Sequence, residues 1–265
     1  MRYKGVCVFA NVRTGGTLLT EMLTNSIRTK FSINTQNFYE LFGSHKIFLP
    51  NQKQLLLKMP AGIITRPLYY NKPFHTPIDL DRLDFLEKTL KDGEIFPVFK
   101  IITAEITHHN HSKVKELVIE NDDIYKVFLN RYDVVHLILS YFIAQSTSHW
   151  HTYINGKERI ITDKKMKVDE PFLQNLCAAI AMHYIWHMEN ARKSCNQIVW
   201  YENMLTTDFT ELDILSGDLI PTQHKLNNDH FSTGKEVIEN YDLVLEYAQM
   251  TEKNISDVRK LLYEN

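Results

Sequence analysis

The chain has 265 residues, of which 44% are hydrophobic, and its 30 basic and 32 acidic side chains give a formal net charge of −2. This length and composition predict a globular protein with a large core, in one domain or, less readily, two. The balanced charge argues against a broad nucleic-acid-binding face, although a local basic pocket stays open. A run of roughly 18 apolar residues, as a transmembrane helix requires, occurs nowhere, so no membrane span is expected.

The three cysteines, Cys7, Cys177 and Cys195, are too widely spaced to form a zinc-binding pattern. Their odd number suits a reducing compartment, and Cys7 and Cys177 lie in apolar segments that predict core positions. The first apolar run is too short for a signal peptide. A cytoplasmic location is therefore expected.

The first elements in the chain are predicted from residues 5–19, GVCVFANVRTGGTLL. Residues 5–10 are a short apolar run with β-branched members, which predicts a buried strand. Residues 11–16 are polar with two glycines and predict a tight loop, and the apolar residues of 18–23 recur at helical spacing. A loop between a strand and a helix start offers free N–H groups and the positive end of the helix dipole to an anion.

Side chains of this loop add to that potential for binding a phosphate or sulfate. Arg13 carries a full positive charge, and Thr14 and Thr17 are hydroxyl donors. The loop is not a standard nucleotide-triphosphate loop, because it has no leading glycine and Thr17 follows Gly16 without an intervening lysine. This disfavours a metal-dependent kinase or NTPase. A strand, a glycine turn and a helix also occur in α/β proteins that bind nothing there.

Further along the chain, strands alternate with helices. Helices are predicted over 81–91, 114–120, 134–149, 172–192 and 235–263, and strands over 96–102, 125–129 and 197–201. The aromatic cluster of residues 38–42 is left without an element. The alternation predicts an α/β fold with a mostly parallel central sheet flanked by helices, formed by a single domain over residues 1–265. In such sheets ligands bind beyond the carboxyl ends of the strands, where the loops after residues 10 and 130 both lie.

The loop after residue 130 opens a second informative segment, FLNRYDVVHLILSYFIAQSTSHWH, over residues 128–151. Arg131 ends a predicted strand and Ser140 lies on the following helix, a pair that suits a second anionic group. Asp133 stands where an N-cap would satisfy the first N–H groups of that helix. Arg131 could instead pair with Asp133 and only stabilise the turn.

Four motifs together resemble the sulfotransferases that use 3′-phosphoadenosine 5′-phosphosulfate (PAPS), in particular the bacterial group around trehalose sulfotransferase. RTGGTLL at 13–19 is similar to that group's 5′-phosphosulfate loop, and NRYDVVHLILS at 130–140 to its 3′-phosphate motif. AQSTSHWH at 144–151 and WYENML at 200–205 resemble two later motifs, and all four occur in the expected order. Tyr132 departs from the pattern, since many relatives have a basic residue there.

The resemblance implies a P-loop-like sulfotransferase fold and transfer of a sulfuryl group from PAPS to an acceptor hydroxyl or amine without a metal. It implies that Arg13 contacts the 5′-phosphosulfate and stabilises charge on the bridging oxygen. Arg131 and Ser140 would hold the 3′-phosphate, and Tyr201 would lie near the adenine unless it is a core aromatic. The remaining cofactor contacts that it implies are Thr14, Gly15, Gly16, Thr17 and Leu18.

Glu40, within NFYELF, is the predicted general base, because the trehalose group has a similar element there and a carboxyl among aromatic residues suits that role near neutral pH. A solvated or ion-paired Glu40 is the alternative. His108, His109 and His111 are more typical of a polar loop than of a metal site. His149 and His151, on either side of Trp150, are candidates for the acceptor pocket.

The resemblance favours a carbohydrate or glycolipid acceptor, although a phenol or another small molecule would also suit the aromatic residues. Residues 43–95 show no such likeness and are expected to shape the acceptor pocket. Relatives are often dimeric, which leaves a homodimer open. Two other functions are kept as alternatives, a metal-dependent nucleotide kinase-like P-loop enzyme and a non-catalytic nucleotide-binding α/β protein.

Overall fold

The computed structural model describes residues 2–11, 13–41, 77–102, 112–147, 165–205, 212–215 and 230–263. Its centre is a five-stranded sheet in the order β2-β3-β1-β4-β5, in which every pairing is parallel. The strands are β1 (Gly5–Ala10), β2 (Thr35–Glu40), β3 (Phe96–Ile102), β4 (Ile124–Asn130) and β5 (Gln197–Trp200). The predicted α/β class, with a parallel central sheet flanked by helices, is confirmed.

The helices alternate with these strands along the chain. They are α1 (Gly16–Phe31), α2 (Pro77–Asp92), α3 (Ser112–Val114), α4 (Val134–Thr147), α5 (Glu170–Ser194), α6 (His230–Val237) and α7 (Tyr241–Tyr263). A π-helix, Lys115–Ile119, continues α3, and two short 3₁₀ helices follow β5 at Asn203–Leu205 and Asp213–Leu215.

The central strands form because their sequences are continuous apolar runs. Every residue of β1, β3 and β4 is buried, as expected for parallel strands covered on both faces. Helix α1 packs on the face that includes Val6 and Val8. Side chains alternate between the two faces of a strand, so Gly5 points to the opposite face from Val6. Helix α2 lies against that face, since a methyl group on Gly5 would lie 3.3 Å from Leu90 of α2.

The described residues form two compact units, each with its own apolar core. Unit 1 comprises the described residues within Met1–Asn130 and Glu189–Thr222. Its core is formed between α1 and the sheet. Unit 2 comprises those within Arg131–Met188 and Gln223–Asn265, and its core is built from α4, α5, α6 and α7. The single domain over 1–265 and the acceptor role of 43–95 stay predictions, and residues 43–76 lie outside the described residues.

Three elements differ from the sequence-based expectation. Residues 35–40 form an edge strand with a bulge between Asn37 and Tyr39, although no strand was predicted there. The helix expected over 114–120 is mostly a π-helix. The helix expected over 235–263 is interrupted after α6, because Ile238 forms a β-bridge with Met166 and the side chain of Asn240 bonds both backbone polar groups of Val168.

Candidate functional site

The loop between β1 and α1, residues 11–15, lies where ligands bind in sheets of this type. β1 is the central strand, with β3 and β2 on one side and β4 and β5 on the other. The strand order therefore reverses at β1, and the loop that follows it stands at the switch point beyond the carboxyl ends of the strands. The sheet thus gives this loop the position that the sequence motif predicts.

The backbone of the β1–α1 loop alternates between left-handed and ordinary conformations. Arg13 has φ 60° and Gly15 has φ 84°, whereas Thr14 between them is not among the residues with positive φ. Left-handed residues that alternate with right-handed helical ones turn successive N–H groups toward one side, the arrangement found in anion-binding concavities. Arg13 is a non-glycine residue in this uncommon region, which indicates that the loop shape is imposed by its surroundings.

The start of α1 is open to a negatively charged ligand. Its N-cap, Gly15, provides no capping side chain, and its first turn contains no acidic residue. The N–H groups of a first turn have no intrahelical acceptor, and the helix dipole places positive charge there. The predicted contribution of the helix dipole is therefore not cancelled by a carboxylate in this turn.

Close packing restricts two neighbouring glycines, Gly15 at the end of the loop and Gly16 at the start of α1. A methyl group on Gly15 would lie 2.6 Å and 2.8 Å from two ring carbons of Tyr201, and one on Gly16 would lie 3.0 Å from Cβ of Ala10 and 3.1 Å from Cδ of Lys100. Tyr201 is buried in the core of unit 1 and its ring backs the loop. The adenine contact of Tyr201 stays a prediction, and core packing is the role that its surroundings favour.

Two other predicted loop residues contribute mainly to the structure of the loop. The hydroxyl of Thr14 is buried and donates to the carbonyl of Asn11 at 2.8 Å, so it stabilises the turn itself. Leu18 lies in the apolar core. Contacts from these two residues to a ligand would therefore come from their backbones.

Lys100 is the functional candidate that sequence reasoning missed. It lies on β3, only 6% exposed, and its Nζ donates a hydrogen bond to Oγ1 of Thr17 at 2.8 Å. The ammonium therefore reaches the first turn of α1 from a neighbouring strand. The signal was a single charged residue in the otherwise apolar run FPVFKII, since lysine is almost never fully buried without a specific reason.

Glu40, the predicted general base, is the last residue of β2. It is the register partner of Lys100 across the β2–β3 pairing, and the next residue, Leu41, donates its N–H to the carbonyl of Lys100 at 3.2 Å. The backbone of Glu40 therefore lies beside the strand position that supplies the ammonium. Its role as a base stays a prediction.

The second predicted anion-binding pair, Arg131 and Ser140, belongs to unit 2. Arg131 is 6% exposed and Ser140 4% exposed. The N–H of Arg131 donates to the hydroxyl of Tyr184 at 3.2 Å, and that hydroxyl donates to the carbonyl of Arg131. Their contact with a 3′-phosphate stays a prediction.

The start of α4, in contrast, is occupied by carboxylates. Oδ1 of Asp133 accepts from the N–H of His136 at 2.7 Å, which confirms the predicted N-cap, and Oδ2 contacts Nδ1 of the same histidine. Glu252 of α7 accepts from the N–H of Val134 at 3.1 Å. An anion at this place would therefore rely on Arg131 and Ser140 rather than on these N–H groups.

Several predicted residues lie outside the described residues: His108, His109, His111, His149, Trp150 and His151. In the part of the chain that the structure describes, no group of three or more His, Cys, Asp or Glu side chains is placed to hold a metal ion. In the same part, no helix is both long and apolar enough to span a membrane.

Comparisons of the chain with protein-family models, with curated proteins and with solved structures give no significant match.

Proposed function

We propose that the protein is a PAPS-dependent sulfotransferase whose 5′-phosphosulfate site is the β1–α1 loop together with Lys100. The observation that carries this proposal is the Lys100 ammonium bonded at an uncapped helix start, which directly follows a loop that contains Arg13. Arg13 lies in the loop, and the Lys100 ammonium is bonded to Thr17 in the first turn of α1. A cation at the positive end of a helix dipole is unfavourably placed, and a bound anion relieves that placement.

The arrangement around Thr17 favours a metal-independent reaction over a P-loop kinase. In nucleotide-triphosphate loops the hydroxyl at the start of the helix binds Mg²⁺. Here that hydroxyl accepts a hydrogen bond from the Lys100 ammonium at 2.8 Å. A divalent cation on the same oxygen would face this positive charge at close range, whereas an anionic phosphosulfate would be attracted by it.

Sulfuryl transfer requires positioning and charge stabilisation more than covalent help from the protein, as phosphoryl transfer does. The acceptor oxygen bonds to sulfur, the bond from sulfur to the bridging oxygen breaks, and 3′-phosphoadenosine 5′-phosphate (PAP) leaves. Arg13 and Lys100 stabilise the charge that develops on that oxygen. Glu40 takes the acceptor proton in this proposal.

The remaining assignments rest on the motif resemblance. Thr14, Gly15, Gly16, Thr17 and Leu18 line the 5′ site, mainly through backbone groups, and Arg131 and Ser140 are proposed to hold the 3′-phosphate. The acceptor is proposed to be a hydroxyl of a carbohydrate or glycolipid. We also propose a cytoplasmic location, which the three scattered cysteines favour.

The first test is thermal stability with PAP, AMP and ATP–Mg²⁺. A ligand at about a hundredfold over its dissociation constant stabilises by roughly 2.7 kcal/mol, equivalent to about 5–11 °C for a chain of this size. PAP should give such a shift, and AMP a smaller one. A shift with ATP–Mg²⁺ and none with PAP would favour the kinase-like alternative.

Two variants separate the two phosphate sites. Lys100→Met keeps the alkyl packing beside Gly16 but removes the charge, so it should reduce the shifts with both PAP and AMP. PAP should raise the melting temperature more than AMP does, and Arg131→Ala should remove only this additional rise. Lys91→Met, at an exposed position of unit 1, is the matched control and should change neither.

Activity is then measured as transfer of labelled sulfate from PAPS to sugars, glycolipids, phenols and amines. Sulfation of one of these classes supports the enzyme proposal. PAP binding without sulfation of any of them would favour the non-catalytic alternative.

A further inference from the structure

Tyr184 of α5 makes an unusual two-point contact with the backbone of Arg131. The pairing of β4 with β5 ends at Asn130, so Arg131 is the first residue beyond the sheet. The hydroxyl of Tyr184 accepts from the N–H of Arg131 at 3.2 Å and donates to the carbonyl of the same residue. One side chain thus supplies the partners that the sheet would otherwise provide.

The contact is buried, and its surroundings hold the tyrosine ring in place. Arg131 is 6% exposed and Tyr184 only 2%. The ring of His183 meets the Tyr184 ring edge-on at 5.3 Å between centroids, and Tyr184 belongs to the apolar core of unit 2. Backbone groups buried in this way need a partner, because leaving them without one carries a large desolvation penalty.

We propose that Tyr184 is a positioning residue that fixes the backbone of Arg131 so that its guanidinium meets the 3′-phosphate of the nucleotide. This rests on the proposed function, which assigns the 3′-phosphate to Arg131. A guanidinium binds a phosphate through a planar fork, so its contribution depends on direction as well as distance. The two hydrogen bonds fix the orientation of the Arg131 peptide groups and therefore the direction in which its side chain leaves the chain.

The test compares PAP with AMP, which lacks the 3′-phosphate, by calorimetric titration of the full chain. Tyr184→Phe removes only the hydroxyl. We expect PAP affinity to fall roughly tenfold, which corresponds to about 1.4 kcal/mol, while AMP affinity stays within about twofold. Tyr247→Phe, which removes a hydroxyl from a partly buried tyrosine of the same unit, is the matched control and should change neither affinity.

Each other outcome overturns the proposal in a distinguishable way. An equal loss of PAP and AMP affinity means that Tyr184 only supports the fold, and no loss of either means that its hydroxyl does not position Arg131. If the wild-type chain itself does not distinguish PAP from AMP, the 3′-phosphate assignment fails, and this inference fails with it.

A second measurement covers the case in which Tyr184→Phe does not fold. In the wild-type chain, hydrogen exchange at the Arg131 amide should slow by at least about tenfold more with PAP than with AMP at equal saturation, because ordering of the contact should raise its protection. Equal exchange with the two nucleotides overturns the proposal.

Discussion

Unit 2 should lose stability in mild acid because of two buried histidines on α5. His183 and His187 are almost fully buried, with ring centroids 3.9 Å apart. Neither ring nitrogen of His183 has a hydrogen-bond partner among the described residues. Burial lowers the pKa of His183 to about 3, and burial together with the neighbouring His183 lowers the pKa of His187 well below its usual value.

The sign of the effect follows from the difference in proton binding. Between pH 6.5 and about 3 the unfolded chain binds a proton at His183 that the folded chain does not, so stability falls as the pH drops below 6.5. From pH 7 to pH 5 this single site costs about 2 kcal/mol of unfolding free energy. His187 adds to the loss in the same direction.

The measurement is urea unfolding at pH 7, 6 and 5, followed by the fluorescence of Trp186. The ring of Trp186 lies 5.6 Å from that of His187, so it reports on this part of unit 2. The other two tryptophans, Trp150 and Trp200, are replaced by phenylalanine to isolate the signal.

The control variant is His183→Phe, which keeps an aromatic ring in the core but cannot take up a proton. It should lose about 2 kcal/mol less than the parent between pH 7 and pH 5. Removing His183 also removes its part in lowering the pKa of His187, which changes the loss in the same direction, whereas the titrating groups away from this pair act on both proteins alike. Equal losses in the two proteins would refute the reasoning, because His183 would then not be held in its neutral form by burial.

Three further predictions concern single residues. Gly15→Ala should destabilise unit 1 by more than Gly93→Ala in urea unfolding. Both positions have positive φ, where alanine costs about 1–3 kcal/mol of strain, but only the methyl group on Gly15 would also clash with Tyr201; equal losses would contradict the packing. Glu40→Gln should lower kcat roughly 10²- to 10⁴-fold without changing PAP affinity, and an unaltered kcat would show that Glu40 is not the base. Burial raises the pKa of Cys195 to about 11, so its alkylation at pH 7 should be more than about a hundredfold slower than that of free cysteine, as mass spectrometry can follow.

The sequence predicts elements well where a single local pattern decides the structure. The strand over 96–102 is an uninterrupted apolar run buried along its whole length, and the helix after residue 133 begins at its predicted Asp133 cap. Both patterns are local in sequence and can be read directly, even though the strand itself pairs with the distant β1 and β2.

Elements that depend on distant partners are not predictable in this way. Residues 35–40 pair with β3 at the edge of the sheet, and a bulge in that pairing hides the alternation that normally indicates a strand. The interruption of the C-terminal helix depends on the bridge of Ile238 to Met166 and on the Asn240 side chain, which bonds to Val168. These partners lie about 70 residues earlier in the chain, so no local pattern reveals them.

The same distinction explains why the loop motif was found but its second cation was not. A nucleotide-triphosphate loop carries its lysine within the motif, and the absence of lysine between Gly16 and Thr17 therefore argues against a metal-dependent nucleotide-triphosphate site when the motif is taken alone. The parallel pairing of β1 with β3 places Lys100 opposite Val8, and its side chain reaches Thr17 from there. The charge that the motif lacks is thus supplied by a residue 83 positions away, and it arrives bonded to the hydroxyl that would otherwise be available to a metal. In the proposed function, this strand-borne lysine supplies positive charge to the 5′-phosphosulfate site and disfavours a metal ion on Thr17.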